Sequence, residues 1–289
     1  MIDFKKLSKS GASELPYRIV DLFDRLDRRA THESLRPVQI EALTSLGERL
    51  QARDSVLKVS TGSGKTVVGL VWAEYARRRY PGEPVIYLCP TNQLVEQVAQ
   101  SAEAIGVPFE MYPQEGLPHS ALEGKAVLGC TYHRLFNARS ALVRANATPA
   151  AIVLDDVHAG IDAVRAQYTV QWPPEEFEKL IGILRPLCED ADPSIWRGIG
   201  LKEYFSRFEV PFWIYSSQYK ELAKLLGTYA ASDGAKFSWG NVERHVEFAR
   251  LCVSGTSAEL TLPVLPVEEN SVYSGAKHRL FMSASIKDG

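Results

Sequence analysis

Residues 59–69, VSTGSGKTVVG, restrict the fold of this chain more than any other stretch. Two glycines around a serine, followed by Lys-Thr, demand an abrupt turn, and the flanks say what it joins. Upstream, Ser55-Val56-Leu57-Lys58-Val59 alternates as a strand does. Downstream, Val67, Val68, Leu70, Val71 and Tyr75 recur at helical spacing until Pro81 and Gly82 stop the helix. Strand, glycine turn and helix in this order form a phosphate cradle, in which backbone N–H groups turn inward and the helix N-terminus favours negative charge. Its candidate residues are Ser60, Thr61, Gly62, Ser63 and Gly64, with Lys65 reaching the β- and γ-phosphates and Thr66 ligating Mg²⁺. Val59 stands where the general pattern has its first glycine. The plain alternative is a glycine-rich turn carrying a surface lysine.

Four further apolar runs read as strands: 84–89 (PVIYLC), 126–131 (AVLGCT), 151–155 (AIVLD) and 279–284 (RLFMSA). Helical stretches at 92–104 and 133–145 separate the first three, and two leading helices are expected over 14–30 and 36–52. Alternation of this kind predicts an α/β fold, a parallel sheet with helices on both faces, which binds ligands at the carboxyl ends of its strands. Residues 160–278 break the rhythm. Amphipathic pieces such as EEFEKLIGILRPLCE and QYKELAKLLGTYA predict a mostly helical insertion that ends in an extended tail, AELTLPVLPV. The expected organisation is a core over 1–159, an insertion over 160–278 and a return strand within 279–289.

Lys and Arg number 33 against 35 Asp and Glu, so a nucleic-acid contact has to be a local groove and not a global basic field. Cys89, Cys130, Cys188 and Cys252 form no C-x-x-C pair, which argues against a zinc ribbon or a disulfide framework and suits a reducing compartment. With neither an apolar leader nor a membrane-length run, the expectation is a cytoplasmic protein with no membrane partner.

The remaining motifs all fall at strand ends. VLDDVHAG sets Asp155 and Asp156 at the end of the 151–155 strand, where one carboxylate can hold Mg²⁺ and its neighbour can orient or deprotonate an attacking water. His158 is either a link from this site to the rest of the protein or a hydrogen-bonded filler. Thr91, in CPTNQLVEQ, is a backbone-phosphate contact or an ordinary helix N-cap. CTYHRLFN repeats that geometry one strand later, with Thr131 and Arg134 as nucleic-acid candidates.

Taken in order, RPVQIEAL (36–43), STGSGKT (60–66), PTNQLVEQ (90–97), CTYHRLF (130–136), DDVH (155–158) and MSAS (282–285) resemble the motifs of superfamily 2 DEAD/DEAH-type helicases, from the Q-type motif to motif III. The resemblance implies the N-terminal, RecA-like ATPase lobe of such an enzyme, using ATP and Mg²⁺ and acting on single-stranded or duplex nucleic acid. It implies that Arg36 and Gln39 join the ATP site, Gln39 by reading adenine, and that Ser283 and Ser285 couple hydrolysis to nucleic-acid binding. Asp156 replaces the usual Glu of motif II, and Ser285 the commoner Thr of motif III. The long insertion is similar to that of XPD- and DinG-like helicases, although the iron–sulfur cysteines are missing. A second RecA-like lobe, from the same parent chain or a partner, is expected to complete the motor. The other reading is a nucleotide-gated module that binds nucleic acid or protein and hydrolyses ATP weakly.

Overall fold

The computed structural model describes residues 15, 18–29, 34–60, 62–230, 235 and 237–284. Its strands are β1 (Asp54–Lys58), β2 (Val85–Cys89), β3 (Phe109–Met111), β4 (Val127–Thr131), β5 (Ala151–Leu154), β6 (Thr169–Gln171), β7 (Arg207–Glu209), β8 (Arg250–Ser254), β9 (Ala258–Thr261) and β10 (His278–Ser283). Six of them form a sheet in the order β1-β10-β5-β2-β4-β3, and every pairing in it is parallel. β2, β4 and β5 are buried along their whole length, as strands covered on both faces must be. β1, at the edge, alternates between exposed and buried residues.

The last strand in sequence therefore lies between the first and the fifth. Lys58 is level with Ser283, Leu88 with Leu154, and Cys89 with Thr131. The carboxyl ends of five strands thus share one rim, where parallel sheets of this kind bind ligands.

The helices explain themselves from their sequences. Helix Asn92–Ile105 buries Val95, Val98, Ala102 and Ile105, the spacing of one apolar face. It ends at Gly106, whose φ of 75° and whose approach to the Asp27 carbonyl, 2.4 Å from a would-be Cβ, suit glycine alone. Helix Lys65–Arg79 is buried continuously from Val68 to Ala76. Its fully buried Glu74 is held by Arg77 and Arg78, each at 2.7 Å, so this charge enters the core already paired. At the opposite rim, Arg279 lies 2.9 Å from Asp54 and 2.7 Å from Glu268; its guanidinium holds the Asp54 carboxyl below the usual carboxylate range.

Two expected helices are shorter than their periodicity suggested. The described part of 14–30 is helical only over Ile19–Leu22 and, as a tighter 3₁₀ turn, over Phe23–Arg25. Leu26 then becomes extended, and the Arg29 amide reaches the Ala104 carbonyl at 2.9 Å. The single helix expected over 133–145 is two pieces, Tyr132–Phe136 and Ala141–Arg144. Asn137 breaks it: its side-chain oxygen accepts the Arg139 N–H at 2.9 Å, an alternative to helical bonding that asparagine offers readily.

The chain forms two compact units. One gathers the described residues up to Leu135, Ala141–Ile161 and those from Val267 onward; the other comprises Phe136–Ser140 and Asp162–Pro266. The second unit holds the expected helices, among them Pro174–Cys188 and Phe212–Ala230. It also holds a four-stranded antiparallel sheet, β6-β9-β8-β7, which the sequence reading did not place. The tail expected to be merely extended supplies β9, turned back on β8 by Ser254, whose amide donates to the Ser257 carbonyl at 2.7 Å. No helix among the described residues is long and apolar enough to cross a membrane.

Candidate nucleotide site

The turn after β1 is built as a cradle. Gly62 and Gly64 both have left-handed φ, 78° and 81°, and Gly64 caps a helix whose first residues are Lys65 and Thr66. Ser63 closes the turn onto Ser60, its hydroxyl donating to the Ser60 carbonyl at 2.6 Å. Arg36 donates to the Gly62 carbonyl at 2.7 Å, and the Gln39 amide donates to the Gly64 carbonyl at 3.1 Å. Because a trans peptide sets its C=O and following N–H on opposite sides, bracing the Gly64 carbonyl aims the Lys65 N–H away from Gln39. Gln39 is buried, and its carbonyl oxygen accepts the Arg36 backbone N–H at 2.8 Å, so both ends of its amide are engaged. In this structure Gln39 braces the loop.

Lys65 and Asp155, far apart in sequence, meet at the rim with Nζ 3.2 Å from Oδ1. Asp155 is a buried carboxylate with a further hydrogen bond on each oxygen. Its Oδ1 accepts the Asp156 N–H at 2.9 Å, and its Oδ2 accepts the Tyr87 hydroxyl at 3.1 Å. Burial, then the Asp155 charge, hold the Tyr87 phenol well above its ordinary pKa, so it stays protonated and donates. Tyr132 donates to the Asp155 carbonyl at 2.8 Å, beside Gly160, where a Cβ would stand 2.5 Å from its ring. Asp156 is half-buried with φ 48°, a left-handed conformation that Asp and Asn adopt more readily than longer side chains.

Tyr87, Tyr132 and Gly160 escaped the sequence reading. The available signal was a tyrosine inside the apolar run PVIYLC, since a buried phenol needs a polar partner. Tyr87→Phe is expected to destabilise the protein by about 1–3 kcal/mol, because a buried carboxylate oxygen loses its donor. A lower urea midpoint at unchanged slope reads this out, and an unchanged midpoint would mean that the hydroxyl is dispensable.

The remaining candidates separate. Thr66 is half-buried in the first helical turn. Thr91 is exposed and caps helix Asn92–Ile105, its hydroxyl accepting the Leu94 N–H at 3.3 Å. Thr131 is buried and accepts the Arg134 N–H at 3.4 Å, while the exposed Arg134 places its guanidinium 5.0 Å from the centre of the Tyr112 ring. His158 is exposed at the start of helix Val157–Gln167. Ser283 is fully buried at the end of β10, its carbonyl accepting the Val59 N–H at 3.3 Å. Thr61 and Ser285 lie outside the described residues. Burial pushes the Cys130 thiol up to about 12 and the Cys89 thiol higher still, which removes both as nucleophiles near neutral pH.

These residues fit a nucleotide with a divalent ion. Left-handed glycines open the turn before a long helix, and a lysine stands beside an anchored carboxylate. Among the described residues no three acidic, histidine or cysteine side chains gather into a self-sufficient metal cage. A divalent ion bound with phosphate would take one or two protein oxygens here and fill its sphere with phosphate and water.

The family described as type III restriction enzyme, res subunit, matches residues 32–185. Among solved structures, the one titled "Structure of S. tokodaii Xpd4" shares 17% identity over 88% of this chain and 58% of its own, with a TM-score of 0.52. Those titled "XPD_APO" and "XPD_Helicase" share 15% and 13% identity over 88% and 89% of this chain, each with a TM-score of 0.51. At such identities the likeness is one of fold, and this chain spans 58%, 54% and 59% of the three. No curated protein matches.

Proposed function

The chain belongs to the family described as type III restriction enzyme, res subunit, and from that membership we propose that it is the first motor lobe of an ATP-dependent nucleic-acid helicase or translocase. The observation that carries this reading is the 3.2 Å approach of Lys65 to Asp155 at the carboxyl rim, beneath a glycine turn braced by Arg36 and Gln39. The turn from Ser60 to Gly64 binds the phosphates of ATP through its amides. Lys65 leaves Asp155 for the β- and γ-phosphates, and Asp155 and Thr66 then hold Mg²⁺. Held by Asp155 and Thr66, such an ion would supply positive charge against that developing on the transferring phosphoryl group. Asp156 orients the attacking water and accepts its proton. Gln39 reads adenine through the second N–H and second lone pair that its two present bonds leave over.

Nucleic acid, single-stranded or duplex, crosses the rim at Thr91, Thr131 and Arg134. His158, Ser283 and Ser285 link that face to the nucleotide. A second RecA-like lobe, in the same parent chain or a partner, completes the site in trans, and the setting is cytoplasmic. A nucleotide-gated binding module is the second reading. It is favoured by Asp156, a short carboxylate on a left-handed backbone.

Turnover separates the two readings. ATP hydrolysis and strand displacement are measured in the parent protein with its second lobe, with and without single-stranded nucleic acid. The motor reading expects turnover that rises with added strand. ATP binding with no turnover under either condition leaves the module reading, and absence of ATP binding removes both.

A further inference from the structure

A cavity of about 230 Å³ opens among the carboxyl end of β4, the first turns of helix Asn92–Ile105 and the chain just after β3. It is larger than a hydration site, since a single water occupies about 30 Å³. Its apolar lining is Val95, Met111 and the Tyr112 ring. Thr131 and Arg134 line it too, and so does the exposed Glu96, which has no ion-pair partner among the described residues.

That mixture suits more than a phosphate alone. A carboxylate without an ion-pair partner disfavours an anion at its own end of the cavity, yet it is a strong acceptor for N–H groups. Arg134, held over the Tyr112 ring, supplies positive charge at the same cavity. The ligand that satisfies both is a planar group bearing an amino edge and attached to a phosphate. We propose that this cavity takes one unstacked nucleobase of the bound strand, Glu96 accepting from its exocyclic amino group while Arg134 and Thr131 meet its phosphate. Apolar and aromatic walls suit the faces of a base, as single-strand readers generally provide. A carboxylate facing the amino group of cytosine is an established pairing chemistry in base recognition. Thymine and uracil carry a carbonyl at that edge and turn an oxygen towards Glu96 instead. The inference rests on the nucleic-acid reading above and adds to it a base preference at one position.

The test compares fluorescently labelled oligo(dC) and oligo(dT) of equal length, two pyrimidine strands, in anisotropy titrations of the purified protein at low salt. Oligo(dC) is expected to bind about tenfold more tightly than oligo(dT). Glu96→Ala, at an exposed position, is expected to abolish the difference, weakening oligo(dC) binding through the lost acceptor and relieving the carboxylate–carbonyl repulsion that oligo(dT) meets. Equal affinities in the unsubstituted protein, or a preference that survives Glu96→Ala, overturn the base pocket and leave the nucleic-acid reading standing. Failure of both strands to bind overturns both.

Discussion

Asp156→Asn should bind ATP as the unsubstituted protein does and lose turnover by a factor of about 10²–10⁴, the usual contribution of a positioned general base. The amide cannot accept the proton that a carboxylate takes from water. The structure makes this a clean comparison. Residue 156 has φ 48°, and Asn enters that left-handed region as readily as Asp, so the backbone has no reason to move. Its carbonyl accepts the Gly160 N–H at 2.8 Å in the first turn of the following helix, a bond the substitution leaves in place. Single-turnover and steady-state rates in the parent protein, with ATP affinity measured separately, decide the matter. Wild-type hydrolysis by the Asn variant would transfer the base role to another residue.

Lys65→Ala is expected to weaken ATP binding by about tenfold or more, because a charge-assisted contact to phosphate is lost in a site only partly open to water. The same substitution removes the 3.2 Å partner of Asp155, but the Tyr87 hydroxyl and the Asp156 amide remain on that carboxylate. The fold should therefore survive, and far-UV circular dichroism should not change. Calorimetric titration with ATP and Mg²⁺ gives the affinity. An unchanged value would remove Lys65 from the phosphate site and with it the reading of the glycine turn.

Much of the candidate site was legible because its parts are local. Lys65 and Thr66 follow a glycine turn within a few residues, and Asp155 follows its own apolar strand, so each position is set by short-range periodicity and turn chemistry. Buried runs such as VIYLC and AIVL carry the signature of strands covered on both faces, and that predicts a parallel sheet. The sequence alone thus determined the fold class, the glycine turn between strand and helix, and the placement of Lys65 and Asp155 near strand ends.

Tertiary structure decided the rest. Strand order is a matter of non-local pairing, which periodicity does not encode, so only the folded chain shows β10 lying between β1 and β5 with Lys65 against Asp155. The buried Gln39 amide also ties Arg36 to Gly64, partners that exist only once helix and loop are packed. Tyr87 and Tyr132 look like ordinary apolar residues until burial leaves their hydroxyls one neighbour to satisfy, Asp155. The antiparallel sheet of the second unit stayed hidden for the same reason. β6 and β7 have three residues each, too few to display alternation, and they become strands through hydrogen bonds to β9 and β8. Local spacing sets what a segment can be, and long-range contacts select which neighbours make it so.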